Sequence, residues 1–270
     1  MSDSYDVPIS IKMKHIGELI VQDKRLDGRG LLDYRDIKVE TGIIGKANGS
    51  ALVSLGNTKV LTGVKIETGP PFPDTPEEGV LTVSAELVPL ASPTFEAGPP
   101  NEESIELARV VDRGIRESKA IDVRKLCLIP GKLVFVVHVD IYVLDHDGNL
   151  FDASALASML ALTTAKMREF ELKDGEVFYK DDLVSLPLQN HVFEVTMAKI
   201  GDKLVVDPSL EEESAVDAQI TIAVDDECKI CATQKSKTGS FMPKEVIEAV
   251  KIAQIKAAEL REKVLGGLSS

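Results

Sequence analysis

The fold is decided by one stretch near the middle of the chain, Leu133-Val-Phe-Val-Val-His-Val-Asp-Ile-Tyr-Val-Leu144. Its nearly continuous run of apolar residues is typical of a strand that is buried on both faces of a sheet. The turn Asp145-His-Asp-Gly-Asn149 follows, and Asp152 is then predicted to cap a helix over 153–167 that is apolar on most sides. A strand and a helix that are both buried on nearly every side predict the centre of a layered α+β domain.

Outward from this centre, the chain contains two sets of short strands, each followed by a helix. Between residues 37 and 68, the β-rich runs are interrupted by Asn48-Gly49 and Gly56-Asn57, which suit tight hairpin turns. Asn101 is predicted to cap a helix. The remaining expected elements are strands at 192–200, 203–206, 216–224 and 228–234 and a helix over 243–265. This order indicates two α+β units.

The composition of the chain excludes several classes of protein. The chain carries 44 Asp and Glu against 31 Lys and Arg, so its formal net charge is −13. This balance argues against a generally basic protein that coats nucleic acid. No run of about 18 uncharged apolar residues is present, and the first residues lack the segments of a secretion signal. We therefore predict a cytoplasmic protein with no membrane partner.

One cysteine pair, Cys228-Lys-Ile-Cys231, has a spacing that suggests zinc or a redox site. However, residues 228–233 alternate as in a strand, which would turn the two thiols to opposite faces, and no second ligand pair follows. The four histidines are scattered along the chain. We therefore predict neither a metal site nor a cofactor.

Three arginines, Arg109, Arg113 and Arg116, form what we call the arginine row on the helix that follows Asn101. At about 100° per residue, their spacing places them within about 60° of one another on one face. One interpretation is a solvated face with the ion pairs Glu106–Arg109, Asp112–Arg116 and Arg113–Glu117. The other is a phosphate-binding row, because guanidinium forks match phosphate oxygens. The residues alone leave both interpretations open.

A second charged region is acidic and lies between residues 202 and 227. It holds nine carboxylates against the single Lys203: Asp202, Asp207, Glu211, Glu212, Glu213, Asp217, Asp225, Asp226 and Glu227. Such a group suits a divalent cation or a general acid, and it equally suits a solvated acidic loop between strands.

Several motifs, spread over nearly the whole chain, resemble those of the ribonuclease PH family. They are Arg25-Leu-Asp-Gly-Arg29, Gly49-Ser-Ala-Leu-Val-Ser-Leu-Gly-Asn-Thr-Lys-Val60, Ile105-Glu-Leu-Ala-Arg-Val-Val-Asp-Arg113 and Asp147-Gly148. Within that family, three further motifs are similar to the non-catalytic ring subunits of archaeal exosomes: Glu86-Leu-Val-Pro-Leu-Ala-Ser-Pro-Thr-Phe-Glu96, Asp140-Ile-Tyr-Val-Leu144 and Gln234-Lys-Ser236.

The resemblance implies an α+β fold of two ribonuclease-PH-type α/β-sandwich domains, over 31–187 and 188–270, after an N-terminal helical extension over 1–30. It also implies a hetero-hexameric ring, a trimer of dimers, in which such a chain alternates with a catalytic paralogue beneath RNA-binding cap subunits. That ring degrades single-stranded RNA from its 3′ end with phosphate. By the same resemblance, Arg109 and Arg113 are expected to contact RNA, with Arg116 as a weaker candidate.

The resemblance further implies that this chain is not itself an enzyme. Catalytic members carry a Ser/Thr-Arg phosphate site before the central strand, whereas Ile129-Pro-Gly-Lys132 stands there. The family's Asp-Gly-Gly turn has become Asp147-Gly148-Asn149, while Asp207 and Asp217 roughly match acidic positions of active members. The alternative is an active phosphorolytic exoribonuclease in which Asp207 and Asp217, with magnesium, act beside a different phosphate anchor such as Lys132.

Overall fold

The computed structural model describes residues 9–173 and 176–266. Its helices are α1 Ile9–Val21, α2 Glu102–Glu117, α3 Leu150–Thr164, α4 Leu210–Glu213 and α5 Pro243–Leu265. Its strands are β1 Ile37–Thr41, β2 Gly49–Leu55, β3 Thr58–Gly69, β4 Val80–Leu87, β5 Cys127–Ile129, β6 Leu133–Asp145, β7 Lys166–Lys173, β8 Glu176–Ser185, β9 Val192–Ile200, β10 Lys203–Val206, β11 Ala218–Asp225 and β12 Ile230–Ser236. Among these described residues, no helix is both long and apolar enough to cross a membrane.

Two sheets and the helices between them form the sandwich that the resemblance implies. The first sheet has the order β1-β2-β3-β6-β4, with β5 beside β6, and the second has the order β10-β9-β11-β12. Helix α3 packs against β2 and β3 of the first sheet and against β9 of the second, and α2 contacts both β4 and β12. One continuous apolar core joins both sheets. The α+β fold class is therefore confirmed.

From residue 136 onward, strand β6 is buried on one face only, so the prediction that it is buried on both faces is wrong. Val137, Val139, Ile141 and Val143 are completely buried. The other face carries His138, Asp140 and Tyr142, and Tyr142 is 37 % exposed. Because side chains alternate along a strand, the polar residues inside this apolar run all fall on the outer face.

Helix α3 begins and ends about one turn earlier than predicted. Its N-cap is Asn149, which adopts the left-handed conformation (φ 51°) and accepts from the backbone N–H of Asp152. Asp152 therefore lies inside the helix, where it is buried. The helix is buried on all sides from Asp152 to Leu162, as its apolar sequence predicts. Because strand β7 already begins at Lys166, helix α3 ends at Thr164, before the predicted end at residue 167.

The two predicted tight turns have different outcomes. Gly56-Asn57 does form the hairpin turn between β2 and β3. Asn48-Gly49 does not form one, because the longer segment 42–48 joins β1 to β2. The Asn48 side chain instead donates to the Lys166 carbonyl (2.8 Å) and accepts from the Ile66 N–H (2.9 Å), so it anchors the end of that loop.

The N-terminal helix packs on the second sheet, although the first sheet follows it directly in sequence. Ile16 and Ile20 are buried in a small cluster with Ala198, Ile200 and Val205.

Arg25, which follows the helix, fixes this arrangement by a buried bidentate pair with Glu212 (2.8 and 2.5 Å). Its guanidinium also donates to the carbonyl of Val206 at 2.9 Å. Within the segment 1–30 that the resemblance predicts as a helical extension, helix α1 covers Ile9–Val21 and turns follow up to residue 30, while residues 1–8 lie outside the described part.

The cysteines are free thiols. Cys231 lies in β12, but Cys228 lies in the turn before that strand, with φ at 60°. The prediction of opposite faces on one strand is therefore wrong for Cys228, since the chain turns through 226–229 before β12 begins. Among the described residues, no group of three or more His, Cys, Asp or Glu is arranged to hold a metal ion.

Candidate RNA-contacting surface

Helix α2 presents the arginine row on its exposed side. The helix begins after Asn101, whose side chain accepts from the Ser104 N–H at 2.9 Å, as the sequence predicts. Glu102 and Glu103 occupy the first turn, where carboxylates are favoured by the helix dipole. The buried side of the helix carries Leu107, Val110, Val111 and Ile115, whereas Arg109, Arg113 and Arg116 are all exposed. Burial of the apolar side thus fixes where the arginines project.

The ion pairs expected along the row form only in part. Arg116 pairs with Asp112, with Nε and Nη2 donating at 3.1 and 2.6 Å, and Nη2 also donates to the Leu81 carbonyl at 3.2 Å. Within the described residues, Arg109 has neither an ion pair nor a side-chain hydrogen bond, and Arg113 has no ion pair. Arg113 Nη1 donates instead to Gln234 Oε1 on β12 at 3.1 Å. The expected pairs Glu106–Arg109 and Arg113–Glu117 are absent from this described part.

A surface cavity joins two members of the row and separates the third. Arg109 and Arg113 line a cavity of about 360 Å³ together with Glu102, Ile105, Glu106, Val110 and Gln234. Arg116 lines a different groove of about 1010 Å³, which also contains Lys119, Arg124 and three carboxylates. The structure therefore brings Arg109 and Arg113 together and leaves Arg116 in separate surroundings.

A buried carboxyl lies beneath the row, between α2 and the second sheet. Glu194 on β9 is 3 % exposed, and its Oε2 has no hydrogen-bond partner among the described residues. Burial, together with the nearby charge of Asp152, raises the pKa of Glu194 to about 8. Gly114 makes room for this side chain, because a Cβ there would lie 2.3 Å from Glu194 Oε1. Glu194 is therefore mainly neutral at pH 7, and it does not cancel the positive charge above it.

The acidic segment contains the opposite kind of site, which we call the Asp207 cluster: Asp207, Arg29, Arg35 and Asn149. Asp207 is completely buried. Arg35 donates to its carboxylate from Nη2 (2.7 Å), from Nε (2.9 Å) and from the backbone N–H (2.9 Å). Arg29 Nη1 and Asn149 Nδ2 donate at 2.9 and 2.8 Å. With five donors on two oxygens, this carboxylate is saturated with protein hydrogen bonds.

The Asp207 cluster also fixes the charge state of its carboxylate. Burial by itself raises the pKa of Asp207, but the hydrogen bonds and charge of Arg35 outweigh burial and hold that pKa below its ordinary value. Gly148, next to Asn149, adopts φ 88°, and a Cβ there would lie 2.5 Å from the Leu210 nitrogen at the start of α4. The close approach of the two backbones therefore requires glycine at this position. The cluster is a buried structural junction between the two sheets.

Asp217 lies apart from Asp207, so the structure does not bring the two residual acids into one site. Asp207 follows β10 and donates its N–H to the carbonyl of Thr196, while Asp217 precedes β11 and donates to that of Lys199. The two acids thus lie at opposite edges of β9 and beside different residues along it. Asp217 is exposed, and its Oδ2 accepts from the Gly201 N–H at 2.8 Å. Lys132, the alternative phosphate anchor, is exposed in the turn between β5 and β6, two strands of the first sheet.

The comparisons with known proteins identify the family. Residues 33–168 match the RNase PH 3′ exoribonuclease family, domain 1, and residues 190–256 match domain 2 of the same family. The chain belongs to the RNase PH family of 3′ exoribonucleases. The recognition made from its motifs is thereby confirmed, and the two matched segments correspond to the two sheets of the sandwich with their helices.

The relatives and solved structures that the chain resembles cover nearly its whole length. The Exosome complex component Rrp42 of Thermococcus onnurineus is 53 % identical over 262 residues, which is 96 % of both chains. A solved Archaeoglobus fulgidus exosome with RNA bound to the active site contains a chain that is 45 % identical, with a TM-score of 0.87, over 96 % of this chain and 99 % of that one. An archaeal exosome core contains one that is 42 % identical, with a TM-score of 0.83, over 94 % and 96 %.

Sequence reasoning found the arginine row but missed the groups that set its surroundings. Gln234 belongs to a motif that carries the family resemblance, but nothing in the sequence shows that it bonds Arg113, which lies 121 residues away. Of the two arginines of the Asp207 cluster, Arg29 belongs to the motif at residues 25–29 and Arg35 belongs to no motif. Arg29 and Arg35 lie 178 and 172 residues from Asp207 in the chain, so no local pattern in the sequence marks this buried ion pair.

Proposed function

We propose that this chain is the non-catalytic, RNA-contacting subunit of a ring-shaped exosome, which structures the active site of a catalytic paralogue during 3′-to-5′ phosphorolysis. Family membership and full-length relatives named as exosome components support the assignment to this complex. The chain's own chemistry supports a non-catalytic role. Its phosphate-site region contains neither Ser nor Arg, and its best candidate acid is buried and saturated by five donors.

The observation that carries the RNA role is the cavity shared by Arg109 and Arg113. Two guanidinium groups one helical turn apart suit successive phosphate oxygens of a single strand. The chain has no Trp and its aromatic content is 4 %, so we expect contact with the backbone rather than stacking on bases. Arg116 remains the weaker candidate, because its guanidinium is bound to Asp112 and to a carbonyl.

The partners follow from the same proposal. We expect a hetero-hexameric ring, a trimer of dimers with the catalytic paralogue, which binds RNA-binding cap subunits and single-stranded RNA in the cytoplasm. Within the chain, we propose a helical extension over 1–30 and domains over 31–187 and 188–270. Two phosphate contacts, at about 0.7 each in the salt slope, give only weak RNA binding by the isolated chain. Assembly into the ring supplies the remaining affinity.

The deciding experiment measures phosphate-dependent release of nucleoside diphosphates from a single-stranded RNA. The purified chain is assayed alone, the catalytic paralogue alone, and then the two together. We expect no turnover by this chain alone and a clear gain on mixing. Robust turnover by this chain alone would instead support the alternative, in which Asp207 and Asp217 work with magnesium and Lys132.

Two variants of this chain distinguish its proposed RNA-contacting role from the enzyme alternative and from a purely structural role. Asp217→Ala removes an exposed acid that the alternative requires, and we expect it to leave the activity of the mixed ring unchanged. Arg109→Ala with Arg113→Ala is expected to reduce that activity. If the arginine variant is fully active in the ring, the chain is an acidic adaptor without an RNA role.

A further inference from the structure

Strand β12 at the edge of the second sheet reaches the arginine row through two side chains. Gln234 Oε1 accepts from Arg113 Nη1 at 3.1 Å, and Ser236 Oγ donates to Glu106 Oε1 at 2.7 Å. Residues i and i+2 of a strand share a face, so both side chains project toward α2. Each of them binds a charged side chain that lines the cavity of Arg109 and Arg113.

Ser236 binds Glu106, one of the two carboxylates that lie three residues from Arg109, while the other, Asp112, is paired with Arg116. Glu106 lies three residues before Arg109, a spacing at which side chains on a helix pair readily. In the structure, Glu106 bonds Ser236, and no ion pair joins it to Arg109 within the described residues. The serine hydroxyl therefore offers Glu106 a partner outside the helix and favours the arrangement in which the charge of Arg109 is not neutralised.

Gln234 acts on the neighbouring arginine in a different way. Its amide oxygen is a neutral acceptor, so it orients the Arg113 guanidinium without cancelling its charge. One hydrogen bond occupies one of the five N–H donors of the guanidinium, and the others can donate to a phosphate. Strand β12 thus contributes one group that orients an arginine and one that restrains a competing carboxylate.

We propose that Gln234 and Ser236 are positioning residues: Gln234 orients Arg113, and Ser236 holds Glu106 away from Arg109, so that both guanidinium groups can bind the phosphates of single-stranded RNA. This inference rests on the proposed RNA role of the arginine row. It adds that the second domain contributes to a binding site carried by a helix of the first.

The test uses rings reconstituted with the catalytic paralogue, and it measures KM for a single-stranded RNA at several salt concentrations. Ser236→Ala releases Glu106 to pair with Arg109, so we expect a higher KM, an unchanged kcat and a salt slope lower by about 0.7, the value of one phosphate contact. Gln234→Glu places a carboxylate on Arg113 and is expected to have the same effect. Ser236→Thr keeps the hydroxyl and should behave as the wild type.

A compensating variant excludes a merely structural role for Ser236. Glu106→Gln in the Ser236→Ala background removes the competing charge while the hydroxyl is still missing, so we expect the wild-type slope to return. If the slope stays low in that double variant, or if Ser236→Ala and Gln234→Glu leave it unchanged, the inference is overturned. The Arg109→Ala, Arg113→Ala ring is measured beside them. Should that ring also keep the wild-type slope, the proposed RNA role itself fails.

Discussion

The arginine row and the Asp207 cluster contain the same kinds of charged groups in opposite environments. Arg35 is 9 % exposed and directs three donors, counting its backbone N–H, at one carboxylate. Arg109 and Arg113 are exposed, and they face a cavity of about 360 Å³. The first arrangement fixes the junction of two sheets, and the second leaves guanidinium donors accessible to an anion.

The comparison shows why net charge is a poor guide to the partners of this chain. The acidic segment 202–227 holds nine carboxylates, yet two of them, Asp207 and Glu212, are buried against arginines from the first 35 residues. Their charge is therefore largely neutralised inside the fold. A chain with net charge −13 can still present a local cationic row, because single strands respond to charges within about a Debye length.

Removing the central carboxylate of the Asp207 cluster should have the largest effect. Asp207→Ala leaves Arg35 buried without its partner, and breaking a buried pair in this way destabilises by about 3–5 kcal/mol. The free energy of unfolding of the isolated chain, measured in urea, checks this. Asp217→Ala is the matched control, and because Asp217 is exposed with a single backbone contact, we expect a loss of about 1 kcal/mol or less.

The same cluster should make stability depend on pH on the acid side. The pKa of Asp207 is lowered in the folded state, so its contribution is present above the unfolded value of about 3.9 and is lost as pH falls through the folded value. Asp207→Ala should therefore lose less stability than the wild type on acidification below about pH 4. Parallel acid profiles for the two proteins would contradict an ionised, arginine-bound Asp207.

Glu194, the buried carboxyl beneath the arginine row, should have the next largest effect on stability, and this effect should appear as pH rises rather than as it falls. Glu194 has a folded pKa of about 8 against about 4.3 unfolded, so its contribution is full below about pH 4.3 and is lost as pH rises toward 8. Between pH 5 and pH 8, the wild type should lose about 2–4 kcal/mol more than Glu194→Gln. Thermal unfolding across this range measures the difference, and identical profiles would mean that Glu194 is already ionised below the row.

Removing the Arg116 side chain should have the smallest effect, here on RNA binding, and it tests whether the RNA-contacting part of the row includes Arg116. Its guanidinium is bound to Asp112 and to the Leu81 carbonyl, and it lines a different groove from that of the other two arginines. For a ring that carries Arg116→Ala, we expect the salt slope of RNA binding to fall by clearly less than the value of about 0.7 for one contact. A fall of 0.7 or more would extend the RNA surface along the whole row.

Much of the fold could be predicted because its signals are local. The apolar stretch of α3 and the Pro243 start of α5 identify these two helices in the sequence, and short apolar runs identify the strands of the second sheet, whose central members β9 and β11 are buried on both faces. The arginine row follows from helical spacing alone. The sequence does not predict the hairpin of β7 and β8, because the hairpin is largely exposed and the apolar residues of β8 stand next to one another, as in Phe178-Tyr179 and Leu183-Val184, without the alternation that marks a half-buried strand.

The parts that sequence could not predict are choices between competing partners. Glu106 has a local partner at Arg109, yet it bonds Ser236, 130 residues away. Asp207 lies in a segment that resembles a solvated loop, yet it is buried by arginines at positions 29 and 35. These choices depend on which side chains the packing of the two sheets brings together, and neither periodicity nor composition contains that information.

The most direct test of the account is the salt dependence of RNA binding by the reconstituted ring with Arg109→Ala and Arg113→Ala. Removing two phosphate contacts should lower the slope of log affinity against log salt by about 1.4, with a thermal midpoint close to that of the wild-type ring because both side chains are exposed. An unchanged slope in a fully assembled ring would contradict the claim that this chain contacts RNA through its arginine row.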